Sequence, residues 1–412
     1  MSQADIATSV RCDGNSERSR SRSPFLAVLA SLWRVGGLTL VDPAGRAGQI
    51  GDPDASASEQ QVWRVRRWRA IRRLITRGDI GFAEGYVAGD WDTPNLTALL
   101  LAFAENYDHL EKIIGGHPLA RGIDAILHAL SPNTRKGSRR NIVAHYDLGN
   151  DFYGQWLDPG MTYSAALFAS SDQALEDAQR AKYAALADAC DIQAGQSVLE
   201  IGCGWGGFAE YLAAERGVTV TAITLSPSQK AYAERRIHQA GLADRVSIQL
   251  IDYRDIQGRY DRIVSVEMFE AVGEAYWPTF FETLRARLTP EGRAALQIIT
   301  IRDDLLPVYR RRPDFIQMHV FPGGMLPSEE RLAEVTSGSG LSARIVRRFG
   351  LDYAETLRRW RLAFDASRSA GKDERFRRLW RYYLAYCEAG FISGRINVVH
   401  MTVEASTVSH RP

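Results

Sequence analysis

Residues 198–207 read VLEIGCGWGG, an apolar run that ends in an acidic residue and a glycine-dense turn. Glycine lets the backbone bend sharply and approach a ligand closely, which a Cβ atom would prevent. The stretch that follows, residues 208–214, is predicted to be the helix that this turn opens. The pattern is typical of a strand, a turn and a helix that together build a site for a nucleotide cofactor.

The turn also satisfies the pattern G-x-G-x-x-G through Gly202, Gly204 and Gly207, which by itself does not identify the cofactor. Two details favour S-adenosylmethionine (SAM) over a nicotinamide dinucleotide. Glu200 ends the strand, where its carboxylate can accept hydrogen bonds from the ammonium group of a methionine moiety. The next apolar strand, 218–223, is followed by Thr224-Leu225-Ser226 and lacks the acidic residue that binds the ribose of a dinucleotide about 20 residues on.

Strand and helix patterns alternate beyond residue 140, which is typical of a parallel sheet with helices on both faces. Strands are predicted at 197–201, 218–223, 246–250, 262–266 and 294–301, and helices at 172–190, 206–216, 226–241, 268–288 and 328–340. Segment 354–391 is predicted to be helical, and 396–403 to be a final strand. In such sheets ligands bind at the carboxyl ends of the strands, which is where Glu200, Thr224, Asp252 and Glu267 fall.

The chain has 412 residues, of which 45% are hydrophobic, and a net charge of +2, which indicates a folded protein with room for several domains. We expect a disordered polar tail at 1–24, an accessory α+β domain at 25–130, a linker at 131–140, and a cofactor domain with C-terminal helical elements at 141–405. The four cysteines form no C-x-x-C pair, and no apolar run approaches the ~20 residues that span a bilayer. A reduced, cytoplasmic protein without a metal site is therefore predicted.

Four further motifs surround the glycine turn: VAHYDLGNDFY at 143–153, MTYS at 161–164, DYRD at 252–255 and VEMFEAVG at 266–273. In this order they resemble the cyclopropane-fatty-acyl-phospholipid synthase family, which includes the mycolic acid cyclopropane synthases. GDIGFAEGY at 78–86 and FGLDY at 349–353 extend the resemblance to about residues 60 to 400. It implies a class I Rossmann-like SAM-dependent methyltransferase of the α/β class, with a small N-terminal α+β domain.

The resemblance also implies which residues bind SAM. Tyr163, Ser164, Gly202 and Gly204 would line the methionine part, Glu200 and Gly206 belong to the same strand and turn, Thr224 and Gln229 would address the ribose, and Tyr253 and Arg254 would flank the adenine. The sequence alone also allows an ordinary structural role for each of these residues, which is the plainer alternative. Tyr163 would then be a core residue, Gln229 an exposed residue of a first helical turn, and Arg254 a solvated loop charge.

The family's reaction is an attack by the π electrons of a cis double bond on the SAM methyl group, which leaves a carbocation on an acyl chain of a membrane phospholipid. A base then removes a proton inside a dry apolar tunnel. The resemblance implies that this base is a bicarbonate ion held by a Cys, a Glu, a His and a Tyr. Glu270 and Tyr353 match two of these positions, whereas Ala165 and Gln297 stand at the positions of the Cys and the His.

A pocket that lacks two donors is expected to hold bicarbonate weakly, so Glu270 itself becomes the candidate base. Glu267 is expected one helical turn away on the same face, and two carboxylates so close together would raise the pKa of one of them and make it a better proton acceptor. The alternative for Glu267 is a carboxylate stabilised by the dipole at a helix N-terminus. We predict a cyclopropane fatty acid as the product; the alternatives are a methyl-branched unsaturated chain, or a non-catalytic homologue that binds SAM and lipid.

A phospholipid substrate requires contact with a membrane, and two arginine-rich segments are candidates for it. In the first, Arg64, Arg66, Arg67, Arg69, Arg72 and Arg73 alternate with Val62, Trp63, Trp68, Ile71 and Leu74, and the second is 375–383. Both fit amphipathic elements that face the core equally well. We expect a peripheral protein on the inner face of the membrane, with a homodimer left open. Nucleic acid is a weaker alternative, because no RNA-binding motif is found.

Overall fold

The computed structural model describes residues 24–52, 60–114, 116–117, 134, 137, 148–367 and 372–406. The tail predicted to be disordered therefore lies almost entirely outside the described residues, and so do most of the predicted linker and residues 143–147 of the first motif. The boundaries predicted between the tail, the accessory domain, the linker and the cofactor domain stay predictions.

Among its described residues, the N-terminal region combines a small sheet with four helices. Its elements are α1 (Pro24–Leu32), β1 (Gly37–Val41), β2 (Ala47–Gly51), β3 (Gln60–Val65), α2 (Arg69–Val87), β4 (Trp91–Asp92), α3 (Leu96–Glu105) and α4 (Tyr107–Ile114). The strand order is β2-β1-β3-β4, with β1 and β3 parallel. Helix α2 kinks at Gly78, whose φ of +62° is a conformation that favours glycine.

A seven-stranded sheet forms the centre of the remaining chain. It comprises β5 (Ser197–Ile201), β6 (Thr219–Thr224), β7 (Val246–Leu250), β8 (Tyr260–Val266), β9 (Leu288–Ile301), β10 (Leu341–Arg348) and β11 (Ile396–Ala405), in the order β10-β11-β9-β8-β5-β6-β7. Strands β5 to β9 are parallel, while β11 runs antiparallel to both of its neighbours. The predicted α/β class with a Rossmann-like sheet is confirmed.

Helices cover this sheet and continue beyond it. They are α5 (Asn150–Tyr153), α6 (Leu175–Ala189), α7 (Gly207–Glu215), α8 (Pro227–Gln239), α9 (Trp277–Arg287), α10 (Leu306–Tyr309), α11 (Phe315–His319), α12 (Glu329–Gly338), α13 (Gly350–Ala366) and α14 (Glu374–Ile392). The segment predicted as helical at 354–391 is thus two helices, α13 and α14.

One sequence prediction of secondary structure is wrong at its N-terminal end, and one strand was not predicted at all. The helix predicted at 268–288 begins only at Trp277, because Gly273 has a φ of +79° and separates two short 3₁₀ turns at 269–271 and 274–276. Strand β10 was not predicted. It is an edge strand with mostly exposed residues, so it lacks the apolar pattern by which a strand is recognised.

The C-terminal helices share one hydrophobic core with the N-terminal region. Trp380, Tyr382 and Leu384 of α14 are buried in the same cluster as Trp63 and Trp91. The guanidinium of Arg378 donates hydrogen bonds to the carbonyl oxygens of Tyr86 (2.6 Å) and Trp91 (3.0 Å), which ties the two regions together. A continuous core means that the N-terminal region contributes to the walls of any site beneath α14.

Both arginine-rich segments turn their apolar sides to this core. In the first, Trp63, Ile71 and Leu74 are buried, and three guanidinium groups surround the fully buried carboxylate of Asp90, those of Arg67, Arg69 and Arg73. In segment 375–383, Trp380, Tyr382 and Tyr383 are buried. The core-facing alternative describes most of both segments, although Trp68 stays 48% exposed.

Candidate active site

A cavity of about 770 Å³ begins at the carboxyl ends of β5, β6 and β8 and extends to α2, α3 and α4. Its walls at the sheet end contain most of the residues predicted to bind the cofactor, with Gly206 and Arg254 as the exceptions. Its far walls are mainly apolar and aromatic side chains from both regions of the chain, among them Leu74, Ile80, Phe103, Leu305, Ile316, Phe321, Tyr382 and Phe391. The cavity therefore joins a cofactor-type turn to an apolar tunnel.

The glycine turn lines this cavity at Gly202 and Gly204. Gly202 has a φ of +86°, and a Cβ atom there would lie 2.8 Å from Cγ of Met268. Gly204 has a φ of +52°, and a Cβ atom there would meet nothing within 4 Å. Gly206, also predicted to bind the cofactor, does not line the cavity. It is the N-cap residue of α7, and a Cβ atom there would lie 2.9 Å from Cβ of Ala233.

Glu200 provides a carboxylate at the end of β5, 3% exposed and facing the cavity. Burial raises its pKa to about 8, although the ammonium of Lys182 opposes this rise. Its Oε2 atom has no hydrogen-bond partner among the described residues. A buried carboxylate oxygen of this kind is satisfied by an ammonium donor, so the site fits the methionine end of SAM.

Thr224 and Gln229 are buried side by side on the cavity wall. The Thr224 hydroxyl donates to Oε1 of Gln229 at 2.8 Å and accepts from the backbone N–H of Ser226 at 3.1 Å. Ser226 in turn caps α8. Gln229 is therefore not the exposed helix residue of the plainer alternative.

Tyr253 and Arg254 lie in different environments. Tyr253 lines the cavity, whereas Arg254 is not among its lining residues. The Arg254 guanidinium donates to both carboxylate oxygens of Asp252, at 2.8 and 2.6 Å, and lies 5.4 Å from the ring centroid of Tyr253. Arg254 is thus a nearly buried ion-pair partner behind Tyr253 and not a solvated loop charge.

Tyr163 and Ser164 reach the cavity from the loop before α6. The Tyr163 hydroxyl lies 2.7 Å from that of Tyr383, and the Ser164 hydroxyl accepts from Nζ of Lys182 at 2.6 Å. Lys182 is fully buried, and burial lowers its pKa to about 8. Sequence reasoning missed Lys182; its signal is the position between Ala178 and Leu186 on the buried stripe of α6.

Glu267 lies at the end of β8 with three hydrogen-bond donors around it. Its Oε1 atom accepts from the backbone N–H of Ala165 at 2.8 Å and from Nε2 of Gln297 at 2.7 Å. Its Oε2 atom accepts from the hydroxyl of Tyr353 at 2.6 Å. The residue has a φ of +47° and is not in a helix, so neither the shared helical face nor the helix N-terminus predicted for it is correct.

Glu270 lies on the following 3₁₀ turn and also faces the cavity. Its Oε1 atom accepts a hydrogen bond from the backbone N–H of Ile299, and its Oε2 atom has no partner among the described residues. Burial, and next the charge of Glu267, raise the pKa of Glu270 to about 8. The predicted interaction of two neighbouring carboxyl groups is therefore present, although no helix creates it.

Gln297 is buried behind Glu267 on β9, and His400 of β11 lies beyond it. The two side chains are 2.9 Å apart, from Nε2 of His400 to Oε1 of Gln297. Burial lowers the pKa of His400 to about 3, so the imidazole is neutral. Because an amide oxygen only accepts hydrogen bonds, the Nε2 atom of His400 carries the hydrogen and donates a hydrogen bond to Gln297. Sequence reasoning missed His400, since nothing in its own strand pattern points to Glu267.

Comparisons with known proteins find relatives of this chain. The family model for mycolic acid cyclopropane synthetase matches residues 133–401. The chain is 40% identical over 391 residues to tuberculostearic acid methyltransferase UfaA1 of Mycobacterium tuberculosis, which covers 89% of this chain and 87% of that protein. It is 35% identical over 339 residues to cyclopropane-fatty-acyl-phospholipid synthase of Escherichia coli strain K12, covering 80% and 84%.

Solved structures show the same likeness. The crystal structure of mycolic acid cyclopropane synthase CmaA1 complexed with SAH and CTAB aligns with a TM-score of 0.60 and 29% identity, over 64% of this chain and 97% of that one. The structure of cyclopropane synthase MmaA2 from Mycobacterium tuberculosis aligns with a TM-score of 0.60 and 31% identity, over 65% and 98%.

Proposed function

The chain belongs to the mycolic acid cyclopropane synthetase family, and we propose that it transfers a methyl group from SAM to the double bond of an unsaturated fatty acyl chain on a membrane phospholipid. Membership makes the chain a SAM-dependent methyltransferase. We propose, in addition, the acyl substrate and its carrier lipid, the product, and the roles of the individual residues. The observation that carries the proposal is the cavity, which joins the cofactor turn, two buried carboxyl groups and an apolar tunnel.

Residues at the sheet end would hold the cofactor. SAM, when bound, supplies an electrophilic methyl group. Glu200 would accept hydrogen bonds from the methionine ammonium, and Gly202 and Gly204 leave room for the cofactor beside the backbone. Thr224 and Gln229 would address the ribose, and Tyr253 would pack against the adenine. Ser164 is fixed by Lys182, which keeps this wall of the site in place.

Replacing Glu200 by glutamine is expected to lower the affinity for SAM about 10- to 100-fold, because a charged hydrogen bond to the ammonium is lost. The wild-type affinity should also rise as pH increases towards about 8, since the unliganded carboxyl must lose its proton before it can pair with a cation. Calorimetry at several pH values checks both. The exposed substitution Glu215→Gln is the control, and a Glu200→Gln variant that keeps both the wild-type affinity and the wild-type pH dependence would mean that Glu200 does not contact SAM.

The tunnel residues would orient the acyl chain and exclude water. The π electrons of the double bond form the new C–C bond, and the adjacent carbon becomes a cation that water would quench. A carboxylate of the pair Glu267 and Glu270 would then accept a proton. If the released C–H electron pair closes a ring onto the cationic carbon, the product is a cyclopropane.

A second product is supported by particular residues. If the proton leaves a neighbouring chain carbon, the same electron pair forms a new double bond and leaves a methyl branch. Ala165 and Gln297 in place of a cysteine and a histidine favour this alternative. So does the 40% identity to a protein named for tuberculostearic acid.

The proposal is tested by incubating the purified protein with methyl-labelled SAM and vesicles of a phospholipid that carries one cis-unsaturated acyl chain. Mass spectrometry should show the gain of one labelled CH₂ unit. Resistance of that chain to hydrogenation identifies a cyclopropane, and uptake of hydrogen identifies a methyl-branched alkene. SAM binding without any label in the lipid would contradict the proposal and indicate a non-catalytic homologue.

We further propose that the protein docks on the membrane surface through α2. Trp68 and Ile75 are 48% and 47% exposed and lie about two helical turns apart, so they share a side of the helix, with exposed Arg72 between them. Leu74 and Ile80 of the same helix line the cavity. Among the described residues, no helix is both long and apolar enough to cross a bilayer.

The double substitution Trp68→Ser and Ile75→Ser is expected to weaken binding to anionic phospholipid vesicles about tenfold, because two half-exposed apolar side chains no longer insert. SAM binding should not change. Co-sedimentation with vesicles measures the effect, with Leu250→Ser as a control, since Leu250 is 40% exposed on β7 at the far edge of the large sheet. If Leu250→Ser loses as much vesicle binding as the double variant, α2 is not the docking surface.

A further inference from the structure

Three donors from separate parts of the fold converge on one carboxylate. They come from the loop before α6 (Ala165 N–H), from β9 (Gln297 Nε2) and from α13 (Tyr353 hydroxyl), and all three point to Glu267. An external anion placed here would need the same donors. Bicarbonate therefore does not fit the residues of this chain, because the carboxylate of Glu267 already occupies the donors that would hold it.

The surroundings also separate the charge states of the two carboxyl groups. Burial raises the pKa of Glu267, whereas its three hydrogen-bond donors and the buried ammonium of Lys182 oppose this rise and favour the ionised form. Glu270 receives one backbone donor and is protonated at neutral pH, since burial and the Glu267 charge raise its pKa to about 8. The pair titrates as a coupled unit, and the hydrogen bonds place its negative charge on Glu267.

Gln297 and His400 act as positioning residues for this carboxylate. The Nε2–H of His400 donates to the amide oxygen of Gln297, which turns the amide nitrogen towards Glu267. A rotated amide would place its oxygen against a carboxylate oxygen, where the two atoms repel each other. The buried imidazole therefore keeps a donor, and not an acceptor, against Glu267.

We propose that the Glu267 carboxylate is the built-in proton acceptor of the reaction and replaces bicarbonate, so that the enzyme works without that ion. This inference rests on the proposed methyl transfer. The π pair of the alkene forms the C–C bond to the methyl group, whose old bond breaks with both electrons remaining on sulfur. A C–H bond of the cationic chain then breaks, its proton goes to Glu267, and its electron pair forms the third ring bond or a double bond. The proton leaves to water when the product departs.

The test compares the wild-type protein with Glu267→Ala, Glu267→Gln and the exposed control Glu291→Ala. Binding of ¹³C-labelled bicarbonate is measured by NMR, and methyl transfer is measured in CO₂-depleted buffer with and without added bicarbonate or formate. The wild type and Glu291→Ala should bind no bicarbonate and react equally fast in both buffers. Glu267→Ala should bind bicarbonate, lose about 1000-fold in turnover as expected for a missing general base, and regain about tenfold with either anion.

Several results would overturn the inference. One is bicarbonate binding by the wild type, or a wild-type rate that falls in CO₂-depleted buffer and recovers with bicarbonate. Another is a high residual rate in Glu267→Gln, which keeps the shape of the side chain but cannot accept the proton. A rate above about a tenth of the wild-type rate would show that Glu267 is not the base. If Glu267→Ala does not fold, Glu267→Gln and the wild-type measurements decide. If the wild type transfers no methyl group to lipid, the proposed function fails, and the bicarbonate binding of wild type against Glu267→Ala still decides this inference.

Discussion

Gly204→Leu is expected to abolish SAM binding, with a loss of affinity of at least about 100-fold, or about 2.8 kcal/mol. A side chain at this position meets no protein atom within 4 Å of its Cβ, so the leucine extends into the space that the cofactor would occupy. The fold is expected to survive, because the substitution fills a cavity and does not compress a packed core. Calorimetric titration with S-adenosylhomocysteine measures the effect, and methyl transfer should be lost with it.

Gly195→Leu is the matched control for this substitution. Gly195 has a φ of +83°, a Cβ atom there would meet nothing within 4 Å, and the residue lies before β5, away from the cavity. Both variants therefore carry the cost of a left-handed backbone conformation, about 1 to 2 kcal/mol of unfolding free energy. Only Gly204→Leu should lose the ligand. Normal binding by Gly204→Leu would mean that the turn does not hold SAM.

Ala104→Trp is expected to reduce turnover of a phospholipid with a long unsaturated chain about 100-fold while SAM binding is unchanged. Ala104 lies on α3 and lines the part of the cavity that the N-terminal region contributes. An indole there would occupy the tunnel, and the substrate double bond could not reach the methyl group in a reactive geometry. Transfer of labelled methyl to vesicles and titration with S-adenosylhomocysteine separate the two effects.

Glu105→Trp places the same indole one residue away on the exposed side of α3 and is the control. It should keep both turnover and SAM binding. Full activity of Ala104→Trp would show that the acyl chain does not pass α3. The proposed path from the N-terminal region to the sheet would then have to be abandoned, although the cofactor site would remain as described.

The N-terminal region contributes residues to the cavity wall, Ala104 among them. Its helices share a core with α14, and α14 supplies Tyr382, Tyr383 and Tyr386 to the cavity wall. The apolar and aromatic side chains that both regions place on the cavity wall would limit the access of water to a carbocation. The role we propose for the N-terminal sheet and helices is therefore to enclose the substrate without providing a reacting group.

The cofactor end of the site was largely predictable from the sequence, because each of its features is local. Glycines at 202 and 204 need positive φ angles wherever that turn occurs, and polar residues that follow apolar strands must lie at the edge of a parallel sheet. The order of strands and helices gave the α/β class for the same reason. The helix prediction at 268–288 was wrong for the residues before Trp277, because Gly273 interrupts a pattern that is otherwise helical.

The fold class, the cofactor and the family could thus be predicted from the sequence, because all three depend on neighbouring residues and their spacing. The surroundings of Glu267, in contrast, are known only from the folded structure. Its donors stand at positions 165, 297 and 353, with Lys182 and His400 beyond them, and no periodic pattern links residues so far apart. Their meeting depends on the register of β9 against β11 and on how α13 packs beside the sheet. Hydrogen bonds and burial at that meeting point then set which carboxyl group carries the charge, a property that no single segment of the chain contains.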